Sequence, residues 1–235
     1  LTIQKPRDIT VKRGGKYSTV KANVPASEVP FVPLGCLHFG AATFDERKFL
    51  ETVRWIKEHN ALVALLGDLV ENSTKSSPGD GVYVQVMSPK EQIKYLKDSL
   101  RDIKGNIIGA IIGNHEMRTR NVSGIDIMDC ICESLEIPYL GTEMYANIVL
   151  SDQGNATRSF SLYGTHSKMA SKTKGLEING IERDIEQWAN FDIIVKGHGH
   201  KAAVDGPYIY LEYDKSNNVV REGRRWFILT GAFFG

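Results

Sequence analysis

Three short apolar runs in this chain end in the same way, and that shared ending constrains the fold more than any other feature. VPFVPL runs into GCLHFG, ALVALL into GDL, and NIIGAII into GNHE. Each run is too short and too evenly apolar for an amphipathic helix, so each is expected as a buried strand. Helical spacing fills the gaps between them. Phe49, Leu50, Val53 and Ile56 follow a predicted capping box of Thr43 and Glu46, and Ser88-Pro89-Lys90-Glu91 opens a second helix running to about Lys104. Strand, helix, strand, helix, strand predicts right-handed crossovers and a largely parallel central sheet, an α/β fold.

After about residue 145 the expected strands crowd together as ANIVL, RSFSLYG, FDIIVKG, PYIYLEY and RWFILTG, interrupted by one helix over roughly 177–190. Residues 1–30 are polar and weakly patterned and are expected as an arm or hairpin packed on a single domain spanning 31–235. A chain of 235 residues is within reach of one such domain. It opens at Leu1 rather than Met and stops at TGAFFG, directly after an apolar strand, as a piece of a longer chain would.

A net charge of +1 excludes a protein that holds nucleic acid by diffuse basic charge, although not a nucleic-acid substrate held locally. No run approaches the length of a membrane span, so no membrane partner is expected. Three cysteines cannot all pair, which fits a reducing, cytoplasmic setting. Cys130 and Cys132 lie two apart in the predicted helix SGIDIMDCICESL, point to different sides, and are expected to pack in the core rather than chelate.

Five of the six histidines follow directly on expected strands, in glycine-bearing turns: His38, His115, His166, His198 and His200. The sixth, His59, ends a helix and is expected to bond one of its last carbonyls. Asp68 and Asn114 occupy equivalent turns. In open α/β sheets the loops at the carboxyl ends of the strands form one rim where ligands bind, so these residues are expected to converge. Imidazoles with one carboxylate suit two divalent ions (manganese, zinc or iron). Asp68 has two oxygens with which to bridge them, and the neutral amide of Asn114 leaves their charge in place.

GCLHFG, GDLVEN, GNHE, GTH and GHGH, in this order over residues 35–200, resemble the calcineurin-like metallophosphoesterase superfamily, above all its compact single-domain bacterial and phage members. The resemblance implies a four-layer α/β/β/α sandwich that hydrolyses phosphate mono- or diesters by a hydroxide bridging two metal ions. His38 and His200 would hold the first ion and Asn114, His166 and His198 the second, with Asp68 bridging. His115 would lie beside the scissile phosphate and assist the leaving group. Asn114 and Arg118 would also face the substrate, a phosphate ester of which nucleotides and nucleic acids are members. Arg118 and Arg120 are expected either to clamp phosphate or to be solvated loop charges.

The departure from the pattern is Cys36, where the superfamily has a metal-binding Asp. Either Cys36 is a thiolate ligand to the first ion or it is a buried neutral thiol. Glu71 and Asn72 stand where many members place a further acidic residue. Two other readings compete: a DNA nuclease, for which VVREGRRW (219–226) is the only basic cluster, and an inactive interaction module on the same fold. The oligomeric state is left open.

Overall fold

The computed structural model describes residues 8–14, 16–75, 77, 83, 85–152, 155–166, 173–181, 183 and 190–234. They form a mixed α/β fold with two sheets. The first runs are strands as expected: β3 (Phe31–Leu34), β4 (Leu62–Leu66) and β5 (Ile107–Ile111) make a three-stranded, fully parallel sheet in sequence order. The parallel expectation holds for this sheet only.

The second sheet has seven strands in the order β1-β2-β6-β7-β8-β10-β9. Its members are β1 (Asp8–Gly14), β2 (Tyr17–Val24), β6 (Glu143–Asp152), β7 (Asn155–Thr165), β8 (Ile193–Lys196), β9 (Ala203–Asp214) and β10 (Val219–Leu229). It is mixed, because hairpins (β1–β2, β6–β7, β9–β10) alternate with parallel pairings (β2–β6, β7–β8, β8–β10). The N-terminal hairpin is therefore part of the sheet: β2 pairs in parallel with β6, with Val20 opposite Ala146 and Val24 opposite Leu150.

Strand β4 shows how the apolar runs hold the two sheets. It is buried along its whole length, and its side chains alternate between two cores. Leu62, Ala64 and Leu66 join Val20, Ala22, Val24, Ile148 and Leu162 of the larger sheet. Val63 and Leu65 join the helical side, where Phe49 and Ile56 of α1 (Glu46–His59), Leu96 and Leu100 of α2 (Pro89–Leu100) and Met128 and Ile131 of α4 (Ile127–Leu135) pack. A third cluster places Ile181 of α5 (Lys174–Ile181) with Tyr163, Ile194, Phe227 and Leu229 of the larger sheet. The remaining described helix, α3 (Asn114–Ser123), starts directly after β5.

Several local expectations are corrected. The N-cap of α1 is Asp45, whose carboxylate accepts from Lys48 N (3.0 Å), and not Thr43. Leu50 is exposed while Phe49 and Ile56 are buried, so the apolar stripe is narrower than its spacing suggested. The Ser88–Glu91 capping box forms, but α2 ends at Leu100 and a 3₁₀ turn carries the chain through Arg101–Asn106. Cys132 packs in the core whereas Cys130 is exposed. His59 bonds Trp55 O through Nδ1 at 3.0 Å, as expected of a helix-terminal histidine. Of the predicted helix over 177–190, residues 177–181 lie in α5, and residues 182 and 184–189 lie outside the described residues. Among the described residues, no helix is long and apolar enough to cross a membrane.

Candidate metal centre

The turns after β3, β4 and β5 interlock before any side chain is considered. Cys36 N, His38 N and Phe39 N donate to Gly67 O, Asp68 O and Leu69 O, each at 3.0 Å, so the loops continue pairing beyond the sheet. Gly67 and Gly113 touch backbone to backbone. A Cβ on Gly67, which has φ +74°, would stand 2.3 Å from Gly113 N, and one on Gly113 would stand 2.2 Å from Asp68 N. No larger residue fits either turn.

The side chains these turns present come from strained backbone. Cys36, His38, Asp68, Asn72, His198 and His200 all have left-handed φ values between +42° and +75°. For non-glycine residues this costs about 1–3 kcal/mol each, and such strain clusters at functional sites.

Asp68 lies at the centre and is fully buried. Its Oδ1 accepts from His115 N at 2.8 Å. Its Oδ2 has no hydrogen-bond partner, and neither have His166 Nε2 and His198 Nδ1, which face it at 3.1 and 3.9 Å. His166 Nδ1 stands 2.6 Å from Leu66 O, and a carbonyl only accepts, so Nδ1 carries the ring hydrogen. In the neutral ring Nε2 is then a lone pair aimed at a carboxylate oxygen. Burial alone would raise the Asp68 carboxyl, but protonated His166 and His198 outweigh it and hold the group well below the ordinary carboxylate range. Burial lowers His166 in turn, but Asp68 outweighs it and pushes the imidazole up, so without a metal a proton on Nε2 balances the carboxylate. Buried acceptors facing one another are costly unless a proton or a metal cation lies between them, and a bound metal would take the place of that proton. Asn114, the first residue of α3, borders the same place, sharing a cavity of ≈ 200 Å³ with Thr165 and His166.

His38 Nε2 lies 4.0 Å from the same Asp68 Oδ2, and 3.0 Å from His200 Nε2. His38 Nδ1 is 3.2 Å from Glu71 Oε2 and therefore donates, which leaves Nε2 as a lone pair toward His200. Burial, then the neighbouring His38, push His200 down to about 4, so its ring is neutral at neutral pH, and without a metal its Nε2–H can donate to His38 Nε2. Two imidazole nitrogens bound to one ion at about 2.1 Å and about a right angle stand about 3 Å apart. The pair has the spacing of ligands shared by a cation, and the donor set fits one.

Cys36 is fully buried between these two groups. Its Sγ lies within 4.8 Å of ligand nitrogens of His38 and His200, and within the same limit of Asp68 and His166. It accepts from His198 N at 3.0 Å. Burial, then the charge of Asp68, push its thiol far up, so the sulfur is protonated unless a cation draws the proton off.

His115 sits at the lip. Its Nδ1 donates to Glu71 O (2.7 Å), while Nε2 is 3.9 Å from Asp68 Oδ2 and 3.0 Å from Arg118 Nη2. Burial lowers its basicity, and Arg118 adds to this against the pull of Asp68. Arg118 is thus a half-buried neighbour of the site, whereas Arg120 pairs with Asp126 at 3.5 Å and is structural. Phe234 stacks on His38 and meets His200 edge-on, with both centroid separations 5.2 Å.

Four residues to which motif reading gave no role in the site hold it in place. Glu116, fully buried, accepts from the backbone N–H of Asp68 (3.0 Å), Leu69 (2.7 Å), Val70 (3.2 Å) and Gly113 (3.0 Å), tying two turns to one carboxylate. Glu71 orients His38, in the manner of a carboxylate behind a metal-binding histidine. Asn72 is buried and donates to His115 O (2.7 Å), so it positions the lip and is not a ligand. Glu177 forms a buried ion pair with Lys196 beneath Gly199. The sequence signals for Glu116 are its place in GNHE and its position three residues after Gly113, at a helix start.

All nine residues singled out from the sequence (Cys36, His38, Asp68, Asn114, His115, Arg118, His166, His198 and His200) are described and lie on the turns or first helical turns at this rim. The basic stretch 219–226 does not join them: Arg225 is buried and bonds Phe191 O and Asn190 Oδ1, and Arg221 pairs with Asp214. No protein-family model matches the chain, and no curated protein matches it in sequence.

Proposed function

We propose that the chain is a phosphoesterase dependent on two divalent metal ions, built as the four-layer α/β/β/α sandwich that its motifs resemble. The observation that carries this reading is the set of buried, unpartnered atoms Asp68 Oδ2, His166 Nε2 and His198 Nδ1, beside the His38–His200 pair. His38, His200 and Asp68 would hold one ion, with Cys36 within reach; Asp68, Asn114, His166 and His198 would hold the other. When bound, the ions supply an activated water at neutral pH and positive charge for a phosphoryl oxygen.

The chain's own residues do the rest. Glu116 and the glycine turns fix Asp68 in position, and Glu71 fixes the tautomer of His38. His115 presents Nε2 at the lip; its lowered basicity makes the protonated ring a strong acid toward a departing oxygen, a role worth ~10²–10⁴-fold. Arg118 adds a guanidinium beside it for a phosphate oxygen. A nuclease reading loses support because, of its basic cluster, Arg221 pairs with Asp214 and Arg225 is buried on Phe191 O. An inert module would have no use for a strained, desolvated carboxylate ringed by lone pairs.

The test is a substrate panel after metal stripping and reconstitution with manganese, zinc or iron. Aryl phosphate mono- and diesters and single- and double-stranded DNA are offered with each metal. Turnover that appears with metal and disappears with a chelator is expected on at least one aryl ester. No bound metal and no turnover under any of these conditions would end the reading.

A further inference from the structure

The outer half of the β9–β10 hairpin leaves the sheet. Strand β8 pairs only with residues 226–229 of β10, so residues 219–225 and their β9 partners 208–214 project as a two-stranded ribbon. This arm is well built. Asp214 accepts from Ser216 N (3.0 Å), Asn217 N (3.2 Å) and Arg221 Nη2 (2.8 Å), which pins the turn. One face is filled by its own side chains: Tyr210 lies over Gly223 and under the Arg225 guanidinium, 4.7 Å from the ring centroid.

Among the described residues, nothing covers the opposite face. Register places Ile209 beside Arg224, Leu211 beside Glu222 and Tyr213 beside Val220 on it. The apolar four are 64%, 73%, 55% and 63% exposed for Ile209, Leu211, Tyr213 and Val220. That is on the order of 500 Å² of contiguous side chain, a size at which a monomer's apolar patch is commonly functional. A preorganised ribbon that keeps such a face in water is shaped for a partner.

The charges on the face say which partner. They are one anion and one cation, Glu222 and Arg224, on either side of the Tyr210–Gly223 rung. A membrane surface or nucleic acid would call for an excess of cations. A two-fold axis lying across the ribbon at that rung instead sets Glu222 against Arg224 of a second copy, and Arg224 against its Glu222. The same operation sets Leu211 against the second copy's Ile209, and brings Tyr213 and Val220 toward its Trp226, which is also exposed. The surface is complementary to itself, as a two-fold interface requires. We infer that the chain forms a two-fold dimer through the face-to-face packing of these hairpin arms, burying about 1,000 Å² before any rim contacts.

Analytical ultracentrifugation of the full chain tests this. The wild type is expected to sediment as a concentration-dependent dimer, and Leu211→Asp as a monomer. Glu222→Arg alone should raise the dissociation constant about 10-fold, and Glu222→Arg with Arg224→Glu should restore it. All three sites are exposed, so a circular dichroism melt unchanged from wild type shows that the fold is kept. A wild type that remains monomeric at ~100 µM would overturn the inference and leave the face to another partner. A dimer indifferent to Leu211→Asp, or to the single charge reversal, would overturn it equally, as pairing along the β9 edge would do.

Discussion

Asp68→Asn is expected to remove metal-dependent hydrolysis while leaving the fold intact or slightly more stable. Asn is the same size, and its Oδ1 still accepts from His115 N, the bond that Asp68 makes at 2.8 Å. Its new NH₂ group would face His166 Nε2, which lies 3.1 Å from Oδ2 and is a lone pair in the neutral ring. In the metal-free protein the substitution exchanges the Asp68–His166 interaction for a hydrogen bond from the new NH₂ and removes a fully buried charge. What it takes away is a carboxylate oxygen that faces His38, His115, His166 and His198 together. The rate should fall by at least about 10³-fold, equivalent to roughly 4 kcal/mol of transition-state stabilisation. Thermal melts of the metal-free proteins should show the variant equal to or above wild type. Turnover within tenfold of wild type would remove Asp68 from the centre of the mechanism.

Glu116→Ala is expected to have the largest effect on stability. It strands four buried backbone donors, those of Asp68, Leu69, Val70 and Gly113, in a place no solvent reaches. Each stranded donor costs about 1–3 kcal/mol, and no longer burying a carboxylate returns part of the total. Burial, and then the charge of Asp68, already push the Glu116 carboxyl up, so the returned part is real. A net loss of about 4 kcal/mol lowers Tm by roughly 8–16 °C in a domain of this size. Glu116→Gln should recover little, because its NH₂ would meet N–H donors at one of the two oxygen positions. A melt displaced by less than about 2 °C would mean that the two turns hold their shape without this carboxylate.

The strands and the rim were legible because their signals are local. Even apolar runs such as ALVALL have one physical reading at that length, and a glycine turn with His, Asp or Asn marks the end of each. The ring of histidines followed from topology alone. What was not legible depends on contacts distant in sequence. The pairing of β2 with β6 joins residues more than 120 positions apart, and the exposed polar strand β1 gives no sign of it. The left-handed backbone at Cys36, His38, Asp68, His198 and His200 runs against local preference and is imposed by the neighbouring turns. Glu116 reads as an ordinary first-turn glutamate until β4 is laid beside it. Thr43 and Asp45 are both good caps, and the choice fell to Asp45, whose backbone N–H is anchored on Phe233 O. Cys36 is the case where both levels are needed: its place at the rim was legible, but its sulfur lies within reach of both ligand groups and its burial favours the neutral thiol.

The most direct test of the metal centre is anomalous scattering from crystals of the manganese-loaded protein. Two peaks are expected, one on each side of the Asp68 carboxylate. One should lie against His38 and His200, the other against Asn114, His166 and His198. A difference map with no peak in contact with Asp68, or with manganese held only at residues away from this rim, would contradict the two-ion centre.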